Sequence, residues 1–399
     1  MEFPDLNQEK KLLAQEFADE FGTALKEVKV IASPYRISPL GAHIDHQGGP
    51  VLGMTVSAYT VMAYVPSTGR RIKLRSKNYP DSVEFELSNV PEKIAGAWGY
   101  YVRGAALAMR EGYQIDHGIT GLLSGMLPGC GLSSSASVLL TYLHALADTN
   151  QIRLSPWDYV RLTQKAENEF IGLRNGILDQ TSIVFGEEGK LLHIDTRKPD
   201  VDKIPDISGK EAYRILVAYS GYSRELTTTG YNSRVQECRE AAEHLSKFNG
   251  YSSGEILSDI SAETFLSHGE KLDPRLRRRA QHFFGEVRRV QEGVSAWKAG
   301  NLEEFGRLMN ASCKSSINYY ECGSPPVHDL QEIVSSTKGV LGSRFSGGGF
   351  GGCVVGLVKP DSAESAVSSI KEAYIKKHPE VAEQAAVYLA SSVKGVHHH

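Results

Sequence analysis

The chain has 399 residues, 41% of them hydrophobic and 23% charged, with a formal net charge of −3 at pH 7. That length and balance suit a globular protein with enough chain to bury a sizeable core and to divide into two domains. They argue against a nucleic-acid or membrane-surface role, since no broad basic excess, membrane-length apolar run or N-terminal signal core is present. Five cysteines (Cys130, Cys238, Cys313, Cys322, Cys353) form no Cys-x-x-Cys pair, which fits a reducing, cytoplasmic setting.

In chain order, Leu12, Leu13, Phe17 and Phe21 recur at helical spacing, and Gly22 ends that helix. Residues 28–32 read as a strand that delivers Arg36. Alternation over 54–65, 71–75 and 83–87, with a Pro-Ser-Thr-Gly turn at 66–69, predicts an antiparallel sheet. A helix holding Trp98, Tyr101 and Leu107 follows, then a strand near 119–123. Strands at 190–195 and 213–220 are separated by a polar connection, 197–210, where the domain boundary is placed: 1–205 and 206–396. The second half is more helical, with apolar spacing near 3.6 over 231–248, 276–299 and 302–317. Its one basic run, 275–279, reads as a solvated helix face. His397, His398 and His399 read as the remainder of a purification tag.

The segment Leu127-Pro128-Gly129-Cys130-Gly131-Leu132-Ser133-Ser134-Ser135-Ala136 precedes an apolar helical run (Val138, Leu139, Leu140, Leu143, Leu146). A glycine loop opening onto a helix N-terminus offers free N–H groups and a favourable dipole to a phosphate. Alone, such a cluster is an ordinary serine-capped turn. Two further segments change that reading: Ser33-Pro34-Tyr35-Arg36 through Gly41-Ala42-His43-Ile44-Asp45-His46-Gln47-Gly48-Gly49, and Ser346-Gly347-Gly348-Gly349-Phe350-Gly351-Gly352-Cys353. The last satisfies GxGxxG but leads from strand to strand, so it is no dinucleotide fingerprint. No Walker lysine motif or protein-kinase catalytic loop is present.

In order, these segments resemble the three motifs of the GHMP small-molecule kinases, in their galactokinase branch. Ala166-Glu167-Asn168 through Gly176-Ile177-Leu178-Asp179-Gln180 is similar to a fourth family stretch. The resemblance implies an α+β, two-domain fold, with a ribosomal-protein-S5-like N-terminal domain, a ferredoxin-like C-terminal domain and the site between them. It implies ATP as phosphoryl donor, bound at Gly129, Gly131, Leu132, Ser133, Ser134 and Ser135, with Trp98 on the adenine or in the core. Mg²⁺ would be held by Ser135 and Glu167. Arg36 falls on the family's catalytic arginine and Asp179 on its catalytic aspartate, which accepts or polarises the proton of the sugar's anomeric hydroxyl. Tyr231, His43 and Asp45 match sugar contacts; a metal cluster at His43-x-Asp45-His46 is disfavoured because three ligands within four residues rarely share a face.

The departures lie in the first motif. Galactokinases carry a glutamate, which holds the sugar C6 hydroxyl, where this chain has Ala42, and Tyr-Asn where it has His46 and Gln47. Loss of that carboxylate removes an acceptor for a hydroxyl and a repulsion against a C6 carboxylate. The pattern resembles the galacturonokinases and implies phosphorylation of D-galacturonate at its anomeric hydroxyl. Arg224 is a candidate partner for the carboxylate. The alternatives are a kinase of galactose or of another neutral or N-acetylated galacto-sugar, and a non-catalytic galactokinase-like sensor. The expected partners are a small sugar or sugar acid and ATP, with no nucleic acid and no membrane.

Overall fold

The computed structural model describes residues 1–91, 98–209, 212–223, 230–248 and 255–398, so Arg224 lies outside the described residues. Helix α1 (Leu6–Phe21) starts where the Asp5 side chain accepts from Gln8 N–H and stops at Gly22, whose φ of 65° reverses the chain. The first sheet holds β1 (Lys29–Ile37), β2 (Val51–Pro66), β3 (Arg71–Ser76), β4 (Val83–Glu86), β5 (Ile119–Gly125), β6 (Lys190–Asp195) and β7 (Asp200–Pro205). Strand β2 is buried on both faces because α1 covers one and α3 (Ser134–Thr149) the other.

Two expectations fail in this sheet. Strand β3 does not pair with β2: β5 lies between them, antiparallel to β2 and parallel to β3, in the order β1-β2-β5-β3-β4. Alternation fixes the face a strand buries but not the neighbour it takes. The connection at 197–210 contains β7, an edge strand that buries only Ile204 and is therefore polar elsewhere. Helix α2 (Tyr100–Arg110) begins after Trp98, which sits in the preceding turn rather than in the helix.

Three helical segments then carry the site: α4 (Pro156–Lys165), a π-helical turn at Ala166–Ile171, and α5 (Leu178–Phe185). The second sheet contains β8 (Arg214–Tyr219), β9 (Val340–Phe345), β10 (Cys353–Val358) and β11 (Ala386–Ala390), all antiparallel in the order β11-β8-β10-β9. Between β8 and β9 run α6 (Tyr231–Ser246), α7 (Ala262–His268), α8 (Pro274–Lys298), α9 (Leu302–Asn318) and α10 (Pro325–Ser336), and α11 (Ala363–Lys377) joins β10 to β11. Treating the five-helix run as one helical layer gives the βαββαβ order of a ferredoxin-like fold.

The basic run on α8 is not uniformly solvated. Arg279 is 2% exposed, with Nε on Glu237 and Nη2 on Glu321, both at 2.6 Å. Arg275, one helical turn earlier, shares Glu237, whereas Arg277 and Arg278 pair with Glu270 and Glu321. The chain end crosses back to the first sheet, where β12 (His397–His398) pairs with Ala32 and Ile31. Two of the residues read as a tag remnant, His397 and His398, therefore lie along the β1 edge.

One apolar core joins the two sheets: Tyr35, Ile37, Met54 and Val56 pack with Ile215, Val217, Val355 and Leu357, and with Trp297 and Phe305. Full burial of each such side chain contributes about 1.5–3 kcal/mol, so this seam fixes the cleft between the sheets. No described helix is long and apolar enough to cross a membrane, and all five cysteines are free and buried.

Candidate active site

The serine loop leaves β5 with every second residue from 127 to 133 left-handed: Leu127 (φ 82°), Gly129 (77°), Gly131 (83°) and Ser133 (59°). Such repeated reversals turn successive N–H groups into a concavity suited to an anion, and non-glycine residues hold that conformation only at some cost. The second glycine loop packs against the first by backbone alone. A Cβ on Gly131 would stand 2.8 Å from Ser346 O, and one on Gly352 would strike Cys130 O. Glycine is thus required by the close approach, which explains the spacing of both loops.

Arg36 stands at the end of β1 beneath this junction, its side chain 5% exposed. Its backbone N–H donates to Leu132 O (3.1 Å), and its Nη1 donates to Gly131 O (3.3 Å) and Ser346 Oγ (3.2 Å). Nε and Nη2 both reach Asp179 Oδ1, at 2.8 and 2.7 Å. The Ser133 hydroxyl donates to Asp179 Oδ2. Asp179 lies in the first turn of α5, where the helix dipole favours a carboxylate.

Glu167 is 1% exposed on the π-helical turn, a geometry frequent at functional sites. Its Oε2 accepts from Asn175 Nδ2 (2.7 Å), Ser135 lies beside it, and its Oε1 is buried without a hydrogen-bond partner. Burial, reinforced by the charge on Asp179, pushes the Glu167 carboxyl up to about 7. An orphaned buried carboxylate oxygen next to a serine hydroxyl is a donor pair that fits Mg²⁺, which takes hard oxygens and few from protein. No group of three or more His, Cys, Asp or Glu side chains suited to a metal occurs among the described residues.

A cavity of about 370 Å³, within the range of small-molecule sites, is lined by Arg36, Trp98, Gly129, Gly131, Ser133, Ser134, Ser135, Glu167 and Asp179. Trp98 Nε1 donates to Asp81 O (3.1 Å), and its ring is parallel to Tyr79 with centroids 6.1 Å apart. The Leu132 side chain is fully buried in the core joining the sheets and its carbonyl accepts from Arg36 N–H, so what this residue can offer the cavity is backbone alone. Ser133 lines the cavity with its hydroxyl bonded to Asp179, so its backbone is what remains for a phosphate.

The residues matched to sugar contacts are adjacent but do not line that cavity. Asp45 Oδ2 accepts from the N–H of Leu178, immediately before Asp179 (3.2 Å). Burial and the Asp179 charge push the Asp45 carboxyl up to about 6. His43 is left-handed (φ 61°), its ring stacked on Tyr320 with centroids 4.6 Å apart and 6.3 Å from that of Tyr231. Burial holds the His43 imidazole well below its ordinary range, helped by His282, Arg344, His46 and Arg234. Ala42 is buried, and its carbonyl faces His282 Nε2 (2.9 Å).

Sequence reasoning did not assign Tyr320, His282, Arg234, Arg344 or Ser346 to this site. Ser346 and Arg344 border the second glycine motif, so their signal was that motif itself. His282 lies on α8 and Tyr320 just past the end of α9, and neither carries a local pattern distinguishing it from a core residue.

Residues 100–187 match the family model for the GHMP kinases N terminal domain, 294–376 that for the GHMP kinases C terminal, and 15–66 the galactokinase galactose-binding signature. The chain is 40% identical over 399 residues to a galacturonokinase of Arabidopsis thaliana, covering 95% of this chain and 93% of that one. It is 34% identical to a galactokinase of Lactococcus lactis subsp. lactis (strain IL1403), covering 91% and 90%. The solved structure of Lactococcus lactis galactokinase complexed with galactose matches with a TM-score of 0.89 and 33% identity, over 97% of this chain and 99% of that one. A mevalonate kinase structure, with a TM-score of 0.65 and 17% identity over 92% and 99%, shares the fold.

Proposed function

The chain belongs to the GHMP kinases, in their galactokinase branch, and is a sugar kinase; from that premise we propose that it transfers the γ-phosphoryl group of ATP to the anomeric hydroxyl of D-galacturonate. The products are galacturonate 1-phosphate and ADP. The observation carrying the sugar acid is the charge around Ala42 and His43. Arg344 is 1% exposed and donates only to Phe345 O (3.1 Å), Ser312 Oγ (2.7 Å) and Ser316 Oγ (3.5 Å). Among the described residues, Arg234 donates only to the carbonyls of Gly230, Tyr320 and Glu321. Neither guanidinium has a carboxylate in direct contact among the described residues, and Glu286, the carboxylate acting on Arg344 from a distance, is bound by Arg289 (2.6 Å). With alanine at 42 in place of a carboxylate, this end of the site favours an anionic C6 group. The galacturonokinase of Arabidopsis thaliana among the relatives supports the same substrate class.

In the reaction, the serine loop would hold the phosphates through backbone N–H groups while Trp98 and Tyr79 flank the base. Ser135 and Glu167 would hold Mg²⁺, which when bound neutralises charge on the phosphates. The sugar oxygen forms its bond to the γ-phosphorus, the bond to the β,γ-bridging oxygen breaks, and ADP departs. Asp179 Oδ1 is held by Arg36, so Oδ2 is the oxygen left to take the sugar proton, oriented by Ser133. Arg36 places its positive charge against Asp179 Oδ1 and spreads charge over the transferring group. Five free, buried thiols agree with a reducing cytoplasm.

Measuring ADP release with galacturonate, glucuronate and galactose tests the reading. Galacturonate should give the highest kcat/KM; a preference for galactose would transfer the assignment to the neutral sugar.

A further inference from the structure

His46 and Gln47, the two departures that the catalytic reading leaves unused, are both tied into a chain of hydrogen bonds. Leu257 N–H donates to Gln47 Oε1 (3.1 Å), and a backbone N–H cannot reverse its role. The amide nitrogen of Gln47 therefore faces His46, at 3.2 Å from its carbonyl and 3.0 Å from its Nδ1. Flipping the amide would set donor against donor at Leu257 and acceptor against acceptor at His46 O. With that amide nitrogen donating to it, Nδ1 of His46 is the acceptor, which places the ring's proton on Nε2 rather than toward the carbonyls of His46 and His43 that also lie beside the ring. That Nε2 lies 3.0 Å from Tyr320 Oη, which must accept from it.

The hydroxyl proton of Tyr320 is then left to point elsewhere. Tyr320 is 1% exposed, and His46 is its hydroxyl's only partner among the described residues. Bulk water does not reach it, and an unplaced buried donor is costly. Its ring lies flat on His43, next to Ala42, and 5.0 Å from His282, which holds the Ala42 carbonyl. We propose that Tyr320 donates its hydroxyl proton to the C6 carboxylate of the sugar acid, and that Gln47 and His46 are positioning residues that set this direction. This rests on the galacturonate reading above, and it adds the specific donor and the pair that aims it.

A carboxylate gains a charge-assisted bond from such a donor, whereas a C6 hydroxyl gains an ordinary one. Tyr320→Phe should therefore lower kcat/KM for galacturonate roughly 10- to 100-fold, mainly through KM, and cost galactose only a few-fold. Gln47→Glu presents only acceptor oxygens to His46, which moves the ring proton to Nδ1 and draws the Tyr320 hydroxyl toward Nε2. It should reproduce the loss on galacturonate, and the double variant should be no worse than either single one. Ring-nitrogen NMR of the unliganded wild-type protein should show His46 as the Nε2–H tautomer. A wild-type Nδ1–H tautomer, or equal losses on both sugars in Tyr320→Phe, would overturn the proposal. The tautomer is read without substrate, so its failure is separate from a failure of wild-type protein to phosphorylate galacturonate, which would sink the substrate reading instead.

Discussion

Arg36 and Asp179, 143 residues apart in the chain, meet at a single carboxylate oxygen: Nε and Nη2 of the arginine lie 2.8 and 2.7 Å from Oδ1. The other oxygen is left to Ser133 and to the incoming hydroxyl. In the proposed reaction, one face of this carboxylate is the anchored one and the other is the one that would take the sugar proton.

Asp179→Asn keeps the size of the side chain but cannot take a proton. Turnover should fall by about 10²–10⁴-fold, the usual contribution of a positioned base, while ATP binding persists. Arg36→Lys cannot bridge Asp179, Gly131 O and Ser346 Oγ at once and should cost on the order of 2–4 kcal/mol in kcat/KM. Single-turnover product formation at the wild-type rate in Asp179→Asn would remove it from the mechanism.

Ser133→Ala separates two roles for this hydroxyl. If it orients Asp179, the loss should be about 1 kcal/mol, several-fold in kcat, with little change in KM for ATP. A rise in KM for ATP at constant kcat would instead make Ser133 a phosphate ligand.

Glu167 and Asp45 have folded-state values of about 7 and about 6, raised above 4.5 and 3.8 by burial first and by Asp179 second. Between the unfolded and folded values the native protein binds more protons than the unfolded chain, so metal-free stability should fall as pH rises from about 4 to about 7. The slope is at most about 1.4 kcal/mol per pH unit for each group. If Glu167 holds magnesium as proposed, binding must displace its proton, so half-saturation should improve as pH rises toward and past 7. Denaturant melts and magnesium titrations of wild type and Glu167→Gln check both signs, since the variant should lose the Glu167 part of each dependence; identical profiles would mean that Glu167 is not the titrating ligand.

Ala42→Glu returns a carboxylate beside the proposed C6 position. At about 4 Å and an effective dielectric near 20, like charges repel by roughly 4 kcal/mol, less where water screens them or the glutamate protonates. Kinetic comparison should show kcat/KM for galacturonate falling about tenfold or more while that for galactose falls less or rises. Equal losses on the two sugars would make Ala42 only a packing position.

Local sequence determined what local physics controls. The bounds of β6, the α1 stop at Gly22, and the glycine and serine loops follow from periodicity, capping and left-handed φ values, all short-range properties. The ordered motifs also named Arg36, Ser135, Glu167 and Asp179 together, and the fold brings all four to the lining of one cavity. Only the tertiary structure decided the rest: β5 between β2 and β3, the burial of Arg279, the bond from Ser133 to Asp179, and the role of Leu132 as core. The orientation of His46 is the sharpest case, because it depends on a backbone N–H at Leu257, 210 residues from Gln47. Strand neighbours, desolvation and hydrogen-bond direction depend on groups far apart in the chain, and no window of residues contains both partners.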